Sequence, residues 1–254
     1  MNVVVCTKYV PNPQGTPTLG PDNLLVRSDV EGALDPGDEY GLELALQLVE
    51  RHGGEITAIS MGPDEALAGV QRALAMGAHR GVLITDPALR GADALVTARV
   101  LAAAVQRQPA ELVIAGVEST DGYTGTVPVT VAALLGYASV TAVRALELEG
   151  DALRVERQTE GGYDVFACPT PALVTVTAGA TEPRYPSLKG IMQAKQKPLE
   201  RLTAADLGLT AEDLRSTQTV VEVVDAAAKG GGEIVQGDAA VARIVELLAE
   251  AKVI

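Results

Sequence analysis

Up to about residue 136 the chain alternates short β-branched runs with longer stretches of helical period, and this alternation restricts the fold more than any other feature. A strand, a helix and a further strand close a right-handed βαβ unit, so a series of them builds a mostly parallel sheet flanked by helices. Val3–Thr7 is the first strand. After a loop rich in Pro and Gly, Gly37–His52 carries Leu42, Ala45, Leu46 and Val49 at i, i+3, i+4 and i+7, an apolar helix face that stops at Gly53-Gly54. Glu55–Met61 reads as the second strand, and Pro63 opens a helix with Leu67, Val70 and Leu74 inward. Gly81–Thr85 is the third strand, Ala92–Gln108 the third helix and Glu111–Ala115 the fourth strand. Thr126–Leu135 completes the series as a helix that tolerates Pro128 in its first turn.

From Ser139 the period changes. Val140–Leu148, Leu153–Gln158, Tyr163–Ala167 and Ala172–Thr177 are extended runs, with turns at Glu149-Gly-Asp151 and Glu160-Gly-Gly162, and they read as antiparallel hairpins added to the sheet. Pro183–Pro198 reads as a basic loop, 203–215 as short helical pieces and Lys229–Gly232 as a glycine joint. Asp238–Ala251 reads as a terminal helix whose apolar stripe is Val241, Ile244, Val245 and Leu248. The chain thus divides into an α/β body at 1–182, a loop at 183–198 and an arm at 199–254 that packs on its own body or on another chain.

Charge removes some partners. Twenty Lys and Arg against 33 Asp and Glu leave a net charge of −13, so nucleic acid and anionic membranes would be repelled by the protein's own field. Thr124–Val143 has no charged residue and is long enough for a bilayer, but Pro128, Gly136, Thr130, Ser139 and Thr141 interrupt it, as suits a buried helix followed by a buried strand. Cys6 and Cys168 make neither a disulfide framework nor a metal cluster, and no signal or transit peptide is visible, which points to the cytoplasm. The chain has two His, no G-x-x-x-x-G-K-[ST] and no G-x-G-x-x-G, so phosphoryl transfer on a P-loop, standard dinucleotide chemistry and histidine-centred hydrolysis lack their parts.

Two segments carry candidate sites. The polar loop Gly116–Gly125 leaves the fourth strand and leads into a helix N-terminus, where ligands of open parallel sheets bind and where unpaired N–H groups favour a phosphate. Thr124 or Thr126 could instead cap the helix, and Asp121-Gly122 could form a turn. Cys6, Met61 and the segment Asp35-Pro36-Gly37-Asp38 would share that rim. The second segment, Pro183–Pro198, has four cations and no carboxylate, with Leu188, Ile191 and Met192 at i, i+3 and i+4, the pattern of an apolar anchor ringed by Lys for an acidic partner; a plain solvated loop is the alternative.

These segments, with Val155–Gly162, Pro171–Thr175, Leu74–Gly81 and Glu182–Tyr185, closely resemble the β subunit of electron-transfer flavoproteins over essentially the whole chain. The resemblance implies an α/β, adenine-nucleotide-binding, Rossmann-like body with antiparallel additions and a C-terminal arm. It implies half of an obligate heterodimer that carries electrons from flavin dehydrogenases, such as acyl-CoA dehydrogenases, to an electron-transfer flavoprotein–quinone oxidoreductase, with FAD held mainly by the α subunit. The chain itself would bind a structural AMP through positions matching Cys6, Asp35, Pro36, Gly37, Asp38, Met61, Val117, Glu118, Ser119, Asp121, Thr124, Gly125, Thr126 and Val127. Arg184, Leu188, Lys189, Ile191, Met192 and Lys195 match the family's recognition loop, with Leu188 as its plug. Glu160 matches an acidic residue that restrains the flavin domain, and the arm would wrap the α subunit. Asp35 stands where the family often has Asn, Asp164 where it usually has Glu or Gln, and Pro13 where some members place a Tyr near the flavin. Such a carrier needs no acid, base or nucleophile of its own.

Overall fold

The computed structural model describes residues 1–254 apart from 13, 28, 29, 225–231 and 238, so Pro13, most of the glycine joint and the first residue of the expected terminal helix lie outside the described residues. The chain opens with β1 (Asn2–Thr7), a short antiparallel pair of β2 (Tyr9–Pro11) and β3 (Gly32–Leu34), and α1 (Pro36–His52). There follow β4 (Glu55–Met61), α2 (Leu67–Met76), β5 (Arg80–Ile84), α3 (Ala94–Gln106), β6 (Leu112–Gly116) and α4 (Val127–Leu135). Three long strands come next, β7 (Ala138–Glu149), β8 (Ala152–Thr159) and β9 (Gly162–Pro169), then β10 (Ala172–Val176), α5 (Leu188–Ala194) and β11 (Leu199–Leu202). The charge-free stretch 124–143 is divided between α4 and the start of β7, which are not the buried helix and strand expected, since only Val131 and Ala132 of α4 are buried while Leu134 and Ser139 are exposed; among the described residues no helix is long and apolar enough to cross a membrane.

Nine strands form one sheet in the order β11-β5-β4-β1-β6-β10-β7-β8-β9. It is parallel from β11 through β7 and antiparallel only across β7, β8 and β9. Two expectations change. The run at 172–177 is no hairpin strand: β10 lies between β6 and β7, parallel to both, with Leu173 beside Val113 and Ser139. All five of its residues are buried, as an interior parallel strand covered on both faces requires. The segment 199–202 is no arm: β11 pairs with β5 through Leu199 opposite Gly81 to Leu202 opposite Ile84, and the compact unit runs from Met1 to Val220. The C-terminal portion that forms its own unit therefore begins at Val221, not at 199.

Alternation along the central strands divides the core. Val3, Val5, Ile56, Leu112 and Ile114 face α1 and α2, while Val4, Ile59, Val113 and Leu173 face α3 and α4. In the second unit, α6 (Ala239–Glu250) presents Val241, Ile244, Val245 and Leu248 exposed, and Arg243 pairs with Glu233 and Glu246.

The register of β7 slips against both neighbours near Ala142, whose backbone takes φ 54° and whose N–H donates to Thr175 Oγ1 at 3.0 Å. A side chain with a branched Cβ fits that left-handed conformation badly. Ala142→Val should therefore lower the thermal unfolding midpoint, with a cost of about 1–3 kcal/mol, whereas Ala142→Gly should stay within about 1 kcal/mol of the parent. Equal midpoints for the two variants would contradict this strained bulge.

Candidate functional site

From β1 the chain winds to β4 and β5 on one side of the sheet, whereas β6, next to β1, leads to the other side. The crevice beyond the carboxyl ends of β1 and β6 is thus the place where a sheet of this kind binds ligands. Asp38, in the first turn of α1, closes its base. This buried carboxylate accepts the Lys8 N–H at 2.7 Å through Oδ2 and the Gly116 N–H at 3.2 Å through Oδ1, bridging the chain just after β1 to the end of β6. Gly116 must be Gly here, since a Cβ would stand 2.9 Å from Asp38 Oδ1.

Asp35, also buried, caps α1 by accepting the Gly37 N–H at 2.9 Å. Its other oxygen accepts the N–H and the hydroxyl of Thr120, at 2.7 and 2.8 Å, and so fastens loop 117–126 to the start of α1. Thr120 was not among the site residues read from the sequence; a hydroxyl in a polar loop carries no signal of its distant partner. Lys8 escaped notice for the same reason. Its Nζ donates to Ser119 Oγ at 3.1 Å and to Asp121 at 2.7 Å, and Arg27 pairs with the other oxygen of Asp121. Burial would raise the Asp121 carboxyl, yet Lys8 and then Arg27 outweigh it and hold it below the ordinary range. The Asp121 charge is thus offset by two cations from outside the loop.

Gly122 and Tyr123 both donate their N–H to Ser119 O, so a turn forms over the Asp121-Gly122 pair. Thr126 precedes α4 but provides no side-chain cap. Helical first turns leave N–H groups without intrahelical partners, so the α4 terminus stays available to an acceptor from outside. Val127 begins the helix, Gly125 has φ 61°, and Glu118 Oε2 lies 3.5 Å from where a Gly125 Cβ would stand. Cys6 and Met61 lie at the ends of β1 and β4 on the same rim. Burial first, and Asp38 second, push the Cys6 thiol up to about 12, so it is no nucleophile at neutral pH.

The recognition-loop residues are elsewhere. Pro183–Pro198 contains α5, on which Leu188 is 75% exposed and Ile191 and Met192 are exposed beside Lys189 and Lys195. Arg184 does not join that rim of cations, because Glu43 and Glu50 on α1 bind its guanidinium; Lys197 likewise donates to Leu74 O and Ala78 O. Glu160 is exposed in the turn between β8 and β9.

A mainly parallel sheet covered by helices on both faces, with an uncapped helix terminus beyond the carboxyl end of β6, defines an open α/β protein of the doubly wound class. Comparison narrows this. The electron transfer flavoprotein domain family matches residues 22–207. The chain is 37% identical to the electron transfer flavoprotein subunit beta of Thermoanaerobacterium thermosaccharolyticum over 98% of both chains. It is 40% identical to that of Bacillus subtilis over 88% of this chain and 89% of the relative. It is also 34% identical to the caffeyl-CoA reductase-Etf complex subunit CarD of Acetobacterium woodii, over 93% of this chain and 92% of the relative. The chain belongs to the electron transfer flavoprotein β-subunit family, whose work is electron transfer and whose β subunit implies an α-subunit partner.

Asp38 makes the crevice sensitive to pH. Burial first and the Asp35 charge second raise its carboxyl to about 8, against the two N–H donations. Between the ordinary value near 4 and about 8 the folded protein keeps a proton that the unfolded chain has released, so stability falls as pH rises through that window, by up to ~1.4 kcal/mol per pH unit. Asp38→Asn has one acceptor for two N–H donors and should be less stable throughout, with that slope removed. Chemical denaturation of the α-paired protein from pH 4 to 8 measures both; an unchanged slope would show that Asp38 is ionised throughout.

Proposed function

We propose that the chain is the nucleotide-holding and docking half of a heterodimeric electron-transfer flavoprotein. It would take electrons from flavin dehydrogenases and pass them to an electron-transfer flavoprotein–quinone oxidoreductase. FAD would be held mainly by the α subunit and, when bound, supplies the redox chemistry. This chain would hold AMP at the rim formed by Cys6, Asp35–Asp38, Met61 and 117–127. The single observation supporting that site is the uncapped α4 terminus above a crevice whose own Asp121 is already paired with Lys8 and Arg27. Backbone N–H groups and the hydroxyls of Ser119, Thr124 and Thr126 suit a phosphate and a ribose.

Leu188, Ile191 and Met192, with Lys189 and Lys195, form the surface that would seat in an acidic-rimmed apolar cup on the dehydrogenase. Glu160 would restrain the flavin-bearing part of the α subunit, and the stripe of α6 would pack on that subunit. The protein would work in the cytoplasm. A second reading has one observation in its favour, the similarity to the CarD subunit of a caffeyl-CoA reductase-Etf complex: a second FAD could take the place of AMP.

Co-expression with the α subunit should give a yellow 1:1 complex, and its extracted nucleotides should weigh as one FAD and one AMP. Two FAD per heterodimer would instead favour the second reading, and a stable colourless monomer indifferent to an α partner would sink both. Leu188→Ala should slow electron transfer from the dehydrogenase by roughly tenfold or more, as for loss of an interface anchor of about 1.4–2 kcal/mol, with flavin content unchanged.

A further inference from the structure

The surface of α5 faces outward, and little apolar packing holds it there. The helix has seven residues, too few to persist by propensity, and Ala194 is its one buried apolar side chain. Its orientation comes from three fixtures on two other helices. Before α5, Arg184 forks onto Glu43 of α1, with Nε to Oε2 at 2.7 Å and Nη2 to Oε1 at 2.9 Å. The same guanidinium reaches Glu50, two turns further along the same face of α1, with Nη2 to Oε2 at 3.1 Å, and the Arg184 N–H donates to Glu43 at 3.2 Å. Glu43 is 4% exposed and also accepts from Gln47, so the fork rests on a fixed carboxylate.

After α5, Lys197 Nζ donates to Leu74 O at 2.8 Å and Ala78 O at 2.7 Å, a cation capping the end of α2. Between them Gly190 lies directly on α2, where a Cβ would come within 2.4 Å of Ala75 O. Two of the four cations of 183–198 are therefore spent on holding the helix.

We infer that Arg184 and Lys197 are positioning residues that clamp α5 to α1 and α2 and present Leu188, Ile191 and Met192 ready for the electron donor. This inference rests on the docking role of that helix. A segment ordered in advance does not lose its freedom on binding, so release of either clamp weakens encounter without touching electron transfer inside the complex. Lys cannot replace Arg at the fork, which needs a planar guanidinium.

The test uses the purified heterodimer with its FAD and a flavin dehydrogenase as donor. Arg184→Lys, Arg184→Met and Lys197→Met should each raise KM for the carrier about tenfold, equivalent to ~1.4 kcal/mol, with kcat and flavin content unchanged. Glu50→Ala, which removes only the exposed half of the fork, should raise it less. Hydrogen exchange over 188–194 should quicken while α1 and α2 stay protected. Unchanged KM in all four variants, or exchange that quickens equally across α1, α2 and α5, overturns the clamp. Leu188→Ala measured alongside separates the two claims: if it raises KM and the clamp variants do not, only the clamp falls; if it too does nothing, the docking role falls and takes the clamp with it.

Discussion

The two N–H donations onto Asp38 are what the rest of the molecule is arranged around. They join the chain leaving β1 to the end of β6 at the one place in the sheet where successive connections diverge. A helix N-terminus delivers the carboxylate, and the neighbouring Asp35 fixes both that terminus and the loop above it. Burial first, and the nearby Asp35 charge second, disfavour the charged form of Asp38 and raise its carboxyl. The arrangement is tolerated because every oxygen of the pair accepts from a backbone N–H. A crevice closed below by fixed acceptors and bordered above by an uncapped helix end has acceptors and donors already separated.

The same economy of charge runs through the surface. A count of cations in 183–198 suggests a broadly basic face, but side-chain partners decide which charges are available. Arg184 and Lys197 turn inward onto carboxylates and helix-end carbonyls, and Lys8 and Arg27 turn onto Asp121. What remains outside is Lys189 on α5 and Lys195 just after it, beside exposed aliphatic side chains. Charge in sequence therefore overstates charge at a surface by the number of cations that find internal acceptors.

The βαβ series was legible because each strand and helix carries its own period, and each observed core element through α4 stands within a few residues of its expected place. The strand at 172–176 was legible as extended but not as to its partners. Its wholly apolar content fits an interior position, yet nothing local tells β6 and β7 from a hairpin neighbour. β11 was hidden for the opposite reason: Leu199-Glu-Arg-Leu202 is short and half polar, as an edge strand can be, and only pairing with β5 makes it a strand. Candidate site residues could be proposed where they adjoin turns and strand ends, as with Asp35, Asp38, Ser119 and Asp121. Lys8, Arg27 and Thr120 depend on contacts between segments far apart in the chain, which no spacing encodes.

Aromatic scarcity has a structural counterpart. Of six Tyr and one Phe, none is buried, and Tyr123, Tyr163, Phe166 and Tyr185 are exposed. The interior on both sides of the sheet is built from Val, Leu, Ile and Ala, whose small volumes let α1 through α4 lie close on the strands. Tyr9, Tyr40 and Tyr137 lie partly buried against the edges of that core, and the other four rings stand where a second surface could meet them: Tyr123 on the loop above the crevice, Tyr163 and Phe166 on the last antiparallel strand, and Tyr185 at the approach to α5. An aromatic side chain offers a large contact area for few rotatable bonds, which makes exposed rings more useful to an association than to a monomer. An aliphatic core that leaves four of seven rings outside suits a chain that is half of a complex.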